Sequence, residues 1–486
     1  MTARLQRPLL IGGLGLTFGL WGLDSISHSL AGVGDWLTLG TIAAGGGYLW
    51  YRQRGSGTQI PLAQVEIDRE SIDRLSKQVA LVISQLASES PQSGQIDLFR
   101  QQLTQAESNL TRPERHIAIT GGHRVGKSSL LQIVTTTPVP AATPLRYTET
   151  PALFTSGASG DTATATAEKL ALSADLVLFL TNGDLTATEY KCLSTLAQAK
   201  QRVVLLLNQS DRYLPDERQL ILQKLQMTVA GIVNPTDIIA TSTAPAPIKV
   251  RSLQADGTAI DRLETPPVEI TNLQQQLSQI LAQEGEKLVW ANTYRQLTGV
   301  QVAAKSALNR VRRDRALPTI DRNQWIVGAA AFANPVPALD LLATAAVNAQ
   351  MVVDLGAIYQ QKFSLEHAQA AAGAMGNVML KLGLVELCTQ TVAGVLKTNA
   401  ATYVAGGLVQ GLSAAYLTRI AGLTLVEYLE AQDLVTPESG RAWNLDLLGN
   451  TLQKVFQANQ RAAYLQTLVK QGVDQLMPNG TATSAI

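Results

Sequence analysis

The sequence predicts an α/β domain built on a parallel sheet with crossover helices. An all-α C-terminal domain follows it, and an N-terminal hydrophobic hairpin precedes it. Three observations lead to this fold class. A glycine-rich loop stands between a predicted strand and a predicted helix. Apolar strand-like runs then alternate with helical stretches as far as residue 285, and beyond that point the chain is helical and poor in charge.

The glycine-rich loop has the pattern G-x-x-x-x-G-K-S from Gly121 to Ser128. "RHIAI" (115–119) predicts a buried strand before it and "SSLLQIV" (128–134) a helix after it, the order that a phosphate-binding loop requires. In such a loop Lys127 reaches the β- and γ-phosphates and Ser128 ligates Mg²⁺. A chance glycine turn is the alternative. The candidate phosphate-binding residues are Gly121, Gly122, His123, Arg124, Val125, Gly126, Lys127, Ser128 and Ser129.

Three later apolar runs predict further strands of the same sheet: "DLVLFLTNG" (175–183), "RVVLLLNQSD" (202–211) and "DIIATST" (237–243). A variable loop to residue 268 and a closing helix over 270–284 follow them. Ligands of such sheets bind at the carboxyl ends of the strands. The phosphate loop and "NQSD" both fall at that edge, which predicts a single site there.

Composition narrows the function classes. The net charge of the 486 residues is +1, so no overall field recruits nucleic acid and no nucleic-acid partner is expected. Charged residues make up 16%, well below the typical ~25%. With a mean hydropathy of +0.08, this suggests a membrane-associated part. Cys192 and Cys388 are expected to be buried reduced thiols, and the four histidines lack metal-ligand spacing.

Two apolar segments near the N-terminus, 8–23 and 36–51, predict a transmembrane or membrane-associated hairpin. Arginines flank its outer ends and the connection carries none, so the positive-inside rule places both ends on the cytoplasmic side. A cleaved signal peptide and a soluble hairpin are the rival interpretations. We therefore expect a membrane protein, of plasma or thylakoid type, with the bulk of the chain on the cytoplasmic side.

Five segments are predicted along the chain. The hairpin occupies 1–54, a helical linker or stalk 55–112, the nucleotide-binding domain 113–285, an apolar helical domain 286–440 and a C-terminal helical tail 441–486. The apolar helices of 325–428 fit a buried bundle, an interfacial element or re-entrant hairpins. A basic cluster over 305–322 fits either contact with anionic lipid or a solvated helix end.

The predicted base-binding residues follow the strand 202–207. "NQSD" runs from Asn208 to Asp211, where guanine-specific proteins carry N-K-x-D. Asp211 can accept from guanine N1–H and the exocyclic amine, Asn208 would tie this loop to the phosphate loop, and Gln209 replaces the lysine that lies along the base. "ATST" (240–243), with Ser242 and Thr243, stands where a backbone N–H contacts guanine O6. These features favour GTP over ATP.

These motifs carry a resemblance to known families. The region 115–285 resembles an Era/MnmE-type small GTPase domain. The stretch "FANPVPALDLLATAAVNAQMVVDLGAIYQQKFS" (332–364) resembles the signature of the YcjF-type helical domain of unknown function. Their fusion to a hydrophobic hairpin resembles membrane-associated GTP-binding proteins common in cyanobacteria. The resemblance implies GTP or GDP with Mg²⁺ as ligands.

The same resemblance defines what the chain lacks. A D-x-P-G element normally ends the third strand, but the strand interpreted at 152–161 has no aspartate at its end, and Asp161 is expected in the loop beyond. No glutamine stands where an attacking water would be oriented. Arg124 replaces the asparagine of potassium-activated relatives. Six threonines are candidates for the switch I ligand of Mg²⁺: Thr135, Thr136, Thr137, Thr143, Thr148 and Thr150.

The sequence therefore predicts binding machinery with damaged or rearranged cleavage machinery. Lys127 is the one candidate for charge stabilisation in catalysis. The favoured function is a membrane-associated GTP-binding switch with slow or partner-dependent hydrolysis, whose nucleotide state the helical domain would detect. A non-catalytic scaffold and a membrane-shaping or tethering protein are the alternatives, with an ATP-using enzyme weaker. The expected partners are guanine nucleotide, a lipid membrane, and either a protein partner or a second copy of the chain.

Overall fold

The computed structural model describes residues 67–153, 158–253, 259–333, 337–397, 406–432, 443–459 and 466–472. The predicted hairpin of residues 1–54 lies outside these ranges. The described part begins with two helices, α1 (Arg69–Glu89) and α2 (Ile96–Ser108). α1 starts at Asp68 because the carboxylate of this residue accepts the N–H of Ser71 at 2.8 Å, which completes a capping box.

A five-stranded parallel sheet follows, in the strand order β2-β1-β3-β4-β5. It confirms the predicted α/β fold class. The strands are β1 (Arg115–Gly121), β2 (Leu145–Glu149), β3 (Leu176–Thr181), β4 (Arg202–Leu207) and β5 (Ile238–Ala240). The intervening helices are α3 (Lys127–Thr136), α4 (Ala158–Leu172), α5 (Ala187–Gln198) and α6 (Pro215–Thr228).

Strands β3 and β4 are buried on both faces, as is usual in parallel sheets. Successive side chains of β3 point to opposite faces, so Val177 and Phe179 pack in one apolar cluster and Leu178 and Leu180 in another. This two-sided burial explains the continuous apolar runs of the sequence. It also fixes the carboxyl ends of β1, β3 and β4 side by side.

Three predictions for this region are wrong. The strand predicted over 152–161 is not found in the described residues of that stretch, because β2 ends at Glu149, Pro151 has no N–H to donate to a ladder, and residues 158–161 belong to α4. Asp161, expected in a loop, lies within α4. The predicted loop before residue 268 contains the antiparallel strands β6 (Ile248–Leu253) and β7 (Ala259–Glu264). The alternation of apolar and charged residues from Ile248 to Arg251 in β6 is the sequence signal for this hairpin.

The closing helix is far longer than the predicted 270–284. Helix α7 (Thr271–Ala333) spans 63 residues and passes through the predicted domain boundary at 285. Its first turns pack Leu273 and Leu277 against the sheet, and its last turns pack Ile320 against the C-terminal helices. These are α8 (Pro337–Ile358), α9 (Leu365–Lys381), α10 (Leu384–Lys397), α11 (Gly406–Ala431) and α12 (Leu445–Asn459). The region after the sheet is thus all-α, as predicted.

The described helices differ in length and apolar character. Taken singly, none of them could cross a bilayer. Helices α9 and α10 are bent by 71° at their junction. Taken together, they have the length and apolar composition of a membrane span. Cys192 and Cys388 are free and buried, which confirms that prediction.

Candidate functional site

The phosphate loop connects β1 to α3 and depends on two of its glycines. Gly121 has φ +149°, and a Cβ there would lie 2.4 Å from the carbonyl oxygen of Leu180. Gly126 has φ +89°, and a Cβ there would lie 2.3 Å from Nδ2 of Asn208. No other residue fits either position, because a side chain would collide with the neighbouring strand or with the Asn208 loop. The loop is therefore shaped by contacts from β3 and from the residues after β4.

Lys127 is the first residue of α3 and is buried. Its ammonium group donates to the carbonyl oxygens of Gly122 at 2.7 Å and Gly121 at 3.2 Å, so the side chain is folded over the loop. Burial lowers the pKa of Lys127, and the charge of Glu149 partly offsets this. A cation held against loop carbonyls in a partly buried site is suited to an anionic ligand such as a phosphate.

Glu149 is the functional residue that the sequence analysis missed. Ser128 donates from its hydroxyl to Oε1 of Glu149 at 2.9 Å. The contact arises because β2 runs parallel beside β1, with Glu149 in register with Ile119. The signal was present in "ETPA" (149–152), which has the spacing of D-x-P-G with glutamate for aspartate and alanine for glycine.

Asn208, directly after β4, joins the predicted base-binding loop to the phosphate loop. Its Nδ2 donates to the carbonyl oxygen of Val125 at 2.8 Å and to the hydroxyl of Thr243 at 3.0 Å. Its Oδ1 accepts from the hydroxyl of Thr241 at 3.2 Å. Asn208 is fully buried, and its amide bonds on both sides, so it fixes the spacing between the two loops.

Gln209 and Asp211 follow on the same loop. Gln209 adopts the left-handed conformation at φ 58°, and its amide donates to the carbonyl oxygen of Arg124 at 3.0 Å. Asp211 accepts from the Ser242 hydroxyl at 2.6 Å and from the Ala246 N–H at 3.3 Å. The carboxylate is therefore held in a defined orientation at the edge of the site, with lone pairs left to accept two further donors.

The remaining predicted residues occupy varied positions. The N–H of Ser242 donates to the carbonyl oxygen of Glu269 at 3.0 Å, so it is already engaged. His123 and Arg124 are exposed at the tip of the loop, and Ser129 is half-buried on α3. The chain does contain the pattern D-x-x-G at Asp446–Gly449, but these residues lie within α12, far along the chain from the phosphate loop.

Four of the six candidate threonines use their hydroxyls elsewhere. Thr135 and Thr136 donate to carbonyl oxygens of α3, and Thr150 donates to the Thr120 hydroxyl at 2.9 Å. Thr148 shares a hydrogen bond of 2.9 Å with His116. The hydrogen bonds therefore select none of these four as a ligand of Mg²⁺.

The parallel sheet, the glycine-rich loop and the helix that begins at Lys127 define an α/β fold of the P-loop class. A magnesium ion fits the donor set, since Ser128 and Glu149 supply two oxygen ligands of the kind Mg²⁺ prefers beside a phosphate-binding loop. Among the described residues no group of three or more His, Cys, Asp or Glu side chains forms a separate metal site.

Part of the helical region is similar to a known protein family. Residues 295–461 match the family described as Domain of unknown function (DUF697), and this span includes the stretch 332–364. No curated protein matches the chain.

Two solved structures are similar at 10–11% sequence identity. The LeoA bacterial dynamin GTPase from ETEC is 10% identical, with 84% of this chain and 98% of that chain covered and a TM-score of 0.27. An oligomerised bacterial dynamin pair, described as a mechanism for long-range sensing and tethering of membranes, is 11% identical. It covers 84% of this chain and 80% of that chain, with a TM-score of 0.24.

Proposed function

We propose that this chain is a membrane-associated GTP-binding switch with slow or partner-dependent hydrolysis. The observation that carries the proposal is the bonding of Asn208 to both Val125 and Thr243. These bonds place a buried linker between a phosphate loop and a loop bearing an oriented carboxylate. A nucleotide bound to both loops would hold them together, and loss of its terminal phosphate would change that contact.

Guanine is favoured over adenine by Asp211. Its carboxylate can accept from N1–H and the exocyclic amine of guanine, a pair of donors that adenine does not offer. The bonds from Ser242 and Ala246 orient it beforehand. Asp211→Asn should therefore shift preference from GTP toward XTP, as measured by competition binding. An unchanged preference would favour an ATP-using or base-independent site.

Magnesium would be held by Ser128 and Glu149 together with phosphate oxygens. When bound, the ion neutralises charge on the β- and γ-phosphates. Lys127 would leave the carbonyls of Gly121 and Gly122 and place its charge beside the same phosphates. No glutamine is available to orient water next to Glu149–Ala152, which is the reason for expecting slow hydrolysis.

Helix α7 supports transmission of the nucleotide state. Arg295, on α7, donates to the carbonyl oxygens of Ala174 at 2.9 Å and Lys200 at 3.2 Å, before β3 and after α5. Asn292 donates to Asp175 at 2.7 Å. The helix is thus bonded to the sheet domain and extends through Pro318 to Ala333, and we propose that it transmits a displacement from one region to the other.

Membrane association rests on the sequence: the apolar segments 8–23 and 36–51 and the low share of charged residues. We place the nucleotide-binding region on the cytoplasmic side. A protein partner or a second copy of the chain would supply what the site lacks for rapid hydrolysis. A membrane-shaping or tethering role is the alternative outcome and would appear as GTP-dependent clustering of vesicles that carry the protein.

The test uses the full chain in phosphatidylcholine nanodiscs. GTP and GDP affinities are measured with Mg²⁺ by calorimetry, and phosphate release is followed over hours. If the chain is a switch, GTP should bind more tightly than GDP and phosphate should be released slowly. Lys127→Ala should abolish both nucleotide binding and phosphate release. Glu149→Gln should weaken Mg²⁺-dependent GTP binding by about 10–100-fold. Glu114→Gln, an exposed carboxylate before β1, is the matched control. Equal affinities without phosphate release would instead identify a non-catalytic scaffold.

A further inference from the structure

A cavity of about 890 Å³ lies on the opposite side of the sheet domain from the phosphate loop. Its walls come from α2, α7 and the C-terminal ends of α4 and α5, which lead into the amino ends of β3 and β4. The volume falls in the ~300–1,000 Å³ range of small-molecule pockets, and a junction between elements is where such pockets occur. No part of the proposed nucleotide site reaches it.

The cavity has an apolar lining with cations at its edge. Leu98, Leu172 and Val300 contribute apolar surface, and Leu98 is 49% exposed. Lys169, Lys200 and Arg295 also line it. The guanidinium of Arg295 donates to backbone carbonyl oxygens, whereas the ammonium groups of Lys169 and Lys200 have no hydrogen bond or ion pair among the described residues. No Asp or Glu of the described chain is among the lining residues. Apolar surface with two free cations and no carboxylate is complementary to an anionic amphiphile.

Lys200 has a backbone conformation that is unfavourable for lysine. It follows α5 with φ 54°, the left-handed position after a helix where glycine is strongly preferred because a Cβ is strained there. Its carbonyl oxygen accepts from Arg295, a bond that any residue would make. Only the side chain distinguishes lysine from glycine at this position, and Lys200 is one of the residues that line the cavity.

Gly299 is the opposite case, a glycine at a position where other residues are preferred. It lies in the interior of α7, where glycine is less stable than almost any other residue. A Cβ at Gly299 would meet nothing within 4 Å, so packing does not require glycine. Gly299 is exposed and is one of the residues that line the cavity, so it leaves space there that a side chain would occupy. Two residues that oppose local preference therefore border one cavity, a pattern expected where function overrides stability.

We propose that this cavity binds a single-chain anionic amphiphile of the fatty-acid type. Its apolar chain lies against Leu98, Leu172 and Val300, and its carboxylate lies between Lys169 and Lys200. Gly299 keeps the space for the chain. This site is independent of the nucleotide site, and it lies against the bonds by which Arg295 joins α7 to the sheet domain.

Photolabelling tests the assignment on the full chain in phosphatidylcholine nanodiscs. The probe is palmitic acid bearing a diazirine, and labelled peptides are mapped by mass spectrometry. Saturable labelling within 96–108 and 294–303 is expected, with palmitate competing at least tenfold better than hexadecanol. A diacyl phosphatidic acid probe in the same nanodiscs should leave these peptides unlabelled. Equal competition by the alcohol, or labelling by the diacyl probe, would overturn the proposed ligand.

Variants separate binding from folding. Gly299→Leu adds a side chain at the wall of the cavity and improves helix propensity, so labelling should fall at least tenfold without loss of folded protein. The double variant Lys169→Gln, Lys200→Gly removes both ammonium groups, so labelling should also fall at least tenfold. The variant should stay folded because glycine is favoured at φ 54°. Lys191→Gln removes an exposed charge of α5 outside the cavity and should label as wild type. Unchanged labelling in Gly299→Leu would refute the site.

Discussion

The sheet domain and the C-terminal helical region both bury polar side chains, but they arrange them differently. In the sheet domain, Asn208, Ser242 and Thr243 are buried and bonded around one edge of the sheet, beside the phosphate loop. In the helical region, Arg312 pairs with Glu89 and Arg419 with Asp321 at separate points along α7. Polar groups that converge at one edge form a place for a ligand. Those that are spread along a helix hold its neighbours in position.

The largest expected effect concerns the convergent group. Gly126→Val places a side chain against Nδ2 of Asn208 and adds backbone strain at φ +89°, so the phosphate loop cannot keep its shape. We expect GTP binding to fall at least 100-fold by calorimetry. Gly231→Ala, also at positive φ but with nothing within 4 Å, is the control. Retained affinity in Gly126→Val would show that the closeness of the two loops is dispensable.

The dispersed group should affect stability and leave nucleotide affinity unchanged. Arg312 is fully buried, donates to Glu89 at 2.7 Å and lies 5.8 Å from the ring centre of Tyr359. Arg312→Ala leaves the Glu89 carboxylate with the exposed Arg315 and the amide of Gln360 as partners, so the free energy of unfolding should drop by about 3–5 kcal/mol. Urea denaturation measures it. Arg74→Ala removes an exposed pair on α1 and should change it by less than ~0.5 kcal/mol.

A third variant tests the connection between the two regions. Burial lowers the pKa of Arg295 to about 10, with Asp175 opposing the shift, so the guanidinium is charged at neutral pH. Arg295→Met leaves buried carbonyls without a donor, which should cost about 1–3 kcal/mol. GTP affinity should persist, while GTP-dependent changes in hydrogen exchange beyond residue 300 should disappear. If those changes persist, α7 does not depend on this bond to follow the nucleotide.

The smallest effect is a pH dependence confined to the sheet domain. Burial lowers the pKa of His116, whose ring shares a hydrogen bond with Thr148. Above the unfolded pKa of about 6.5 the neutral ring costs nothing; as the pH falls through that value, the unfolded chain binds the proton first and stability declines. His116→Gln should flatten the stability loss between about pH 7.5 and pH 5.5. His367→Gln, an exposed histidine of α9, should not flatten it.

Strands β1, β3, β4 and β5 were predicted because their apolar runs are continuous. "NQSD" was found because it directly follows the run of β4. Glu149 was missed because the apolar residues "ALF" (152–154) led to a strand being predicted after Pro151, whereas β2 ends at Glu149. The length of α7 was missed because nothing local marks where a helix leaves one region and enters the next.

Local chemistry by itself determined the phosphate loop, the parallel sheet and the all-α C-terminal region. Glycine geometry and apolar periodicity depend only on residues close along the chain. Tertiary structure alone decided that Glu149 contacts Ser128, that Asn208 joins two loops, and that Lys200 and Gly299 border one cavity. Each of these depends on strand register or helix packing between distant segments, which no local pattern encodes.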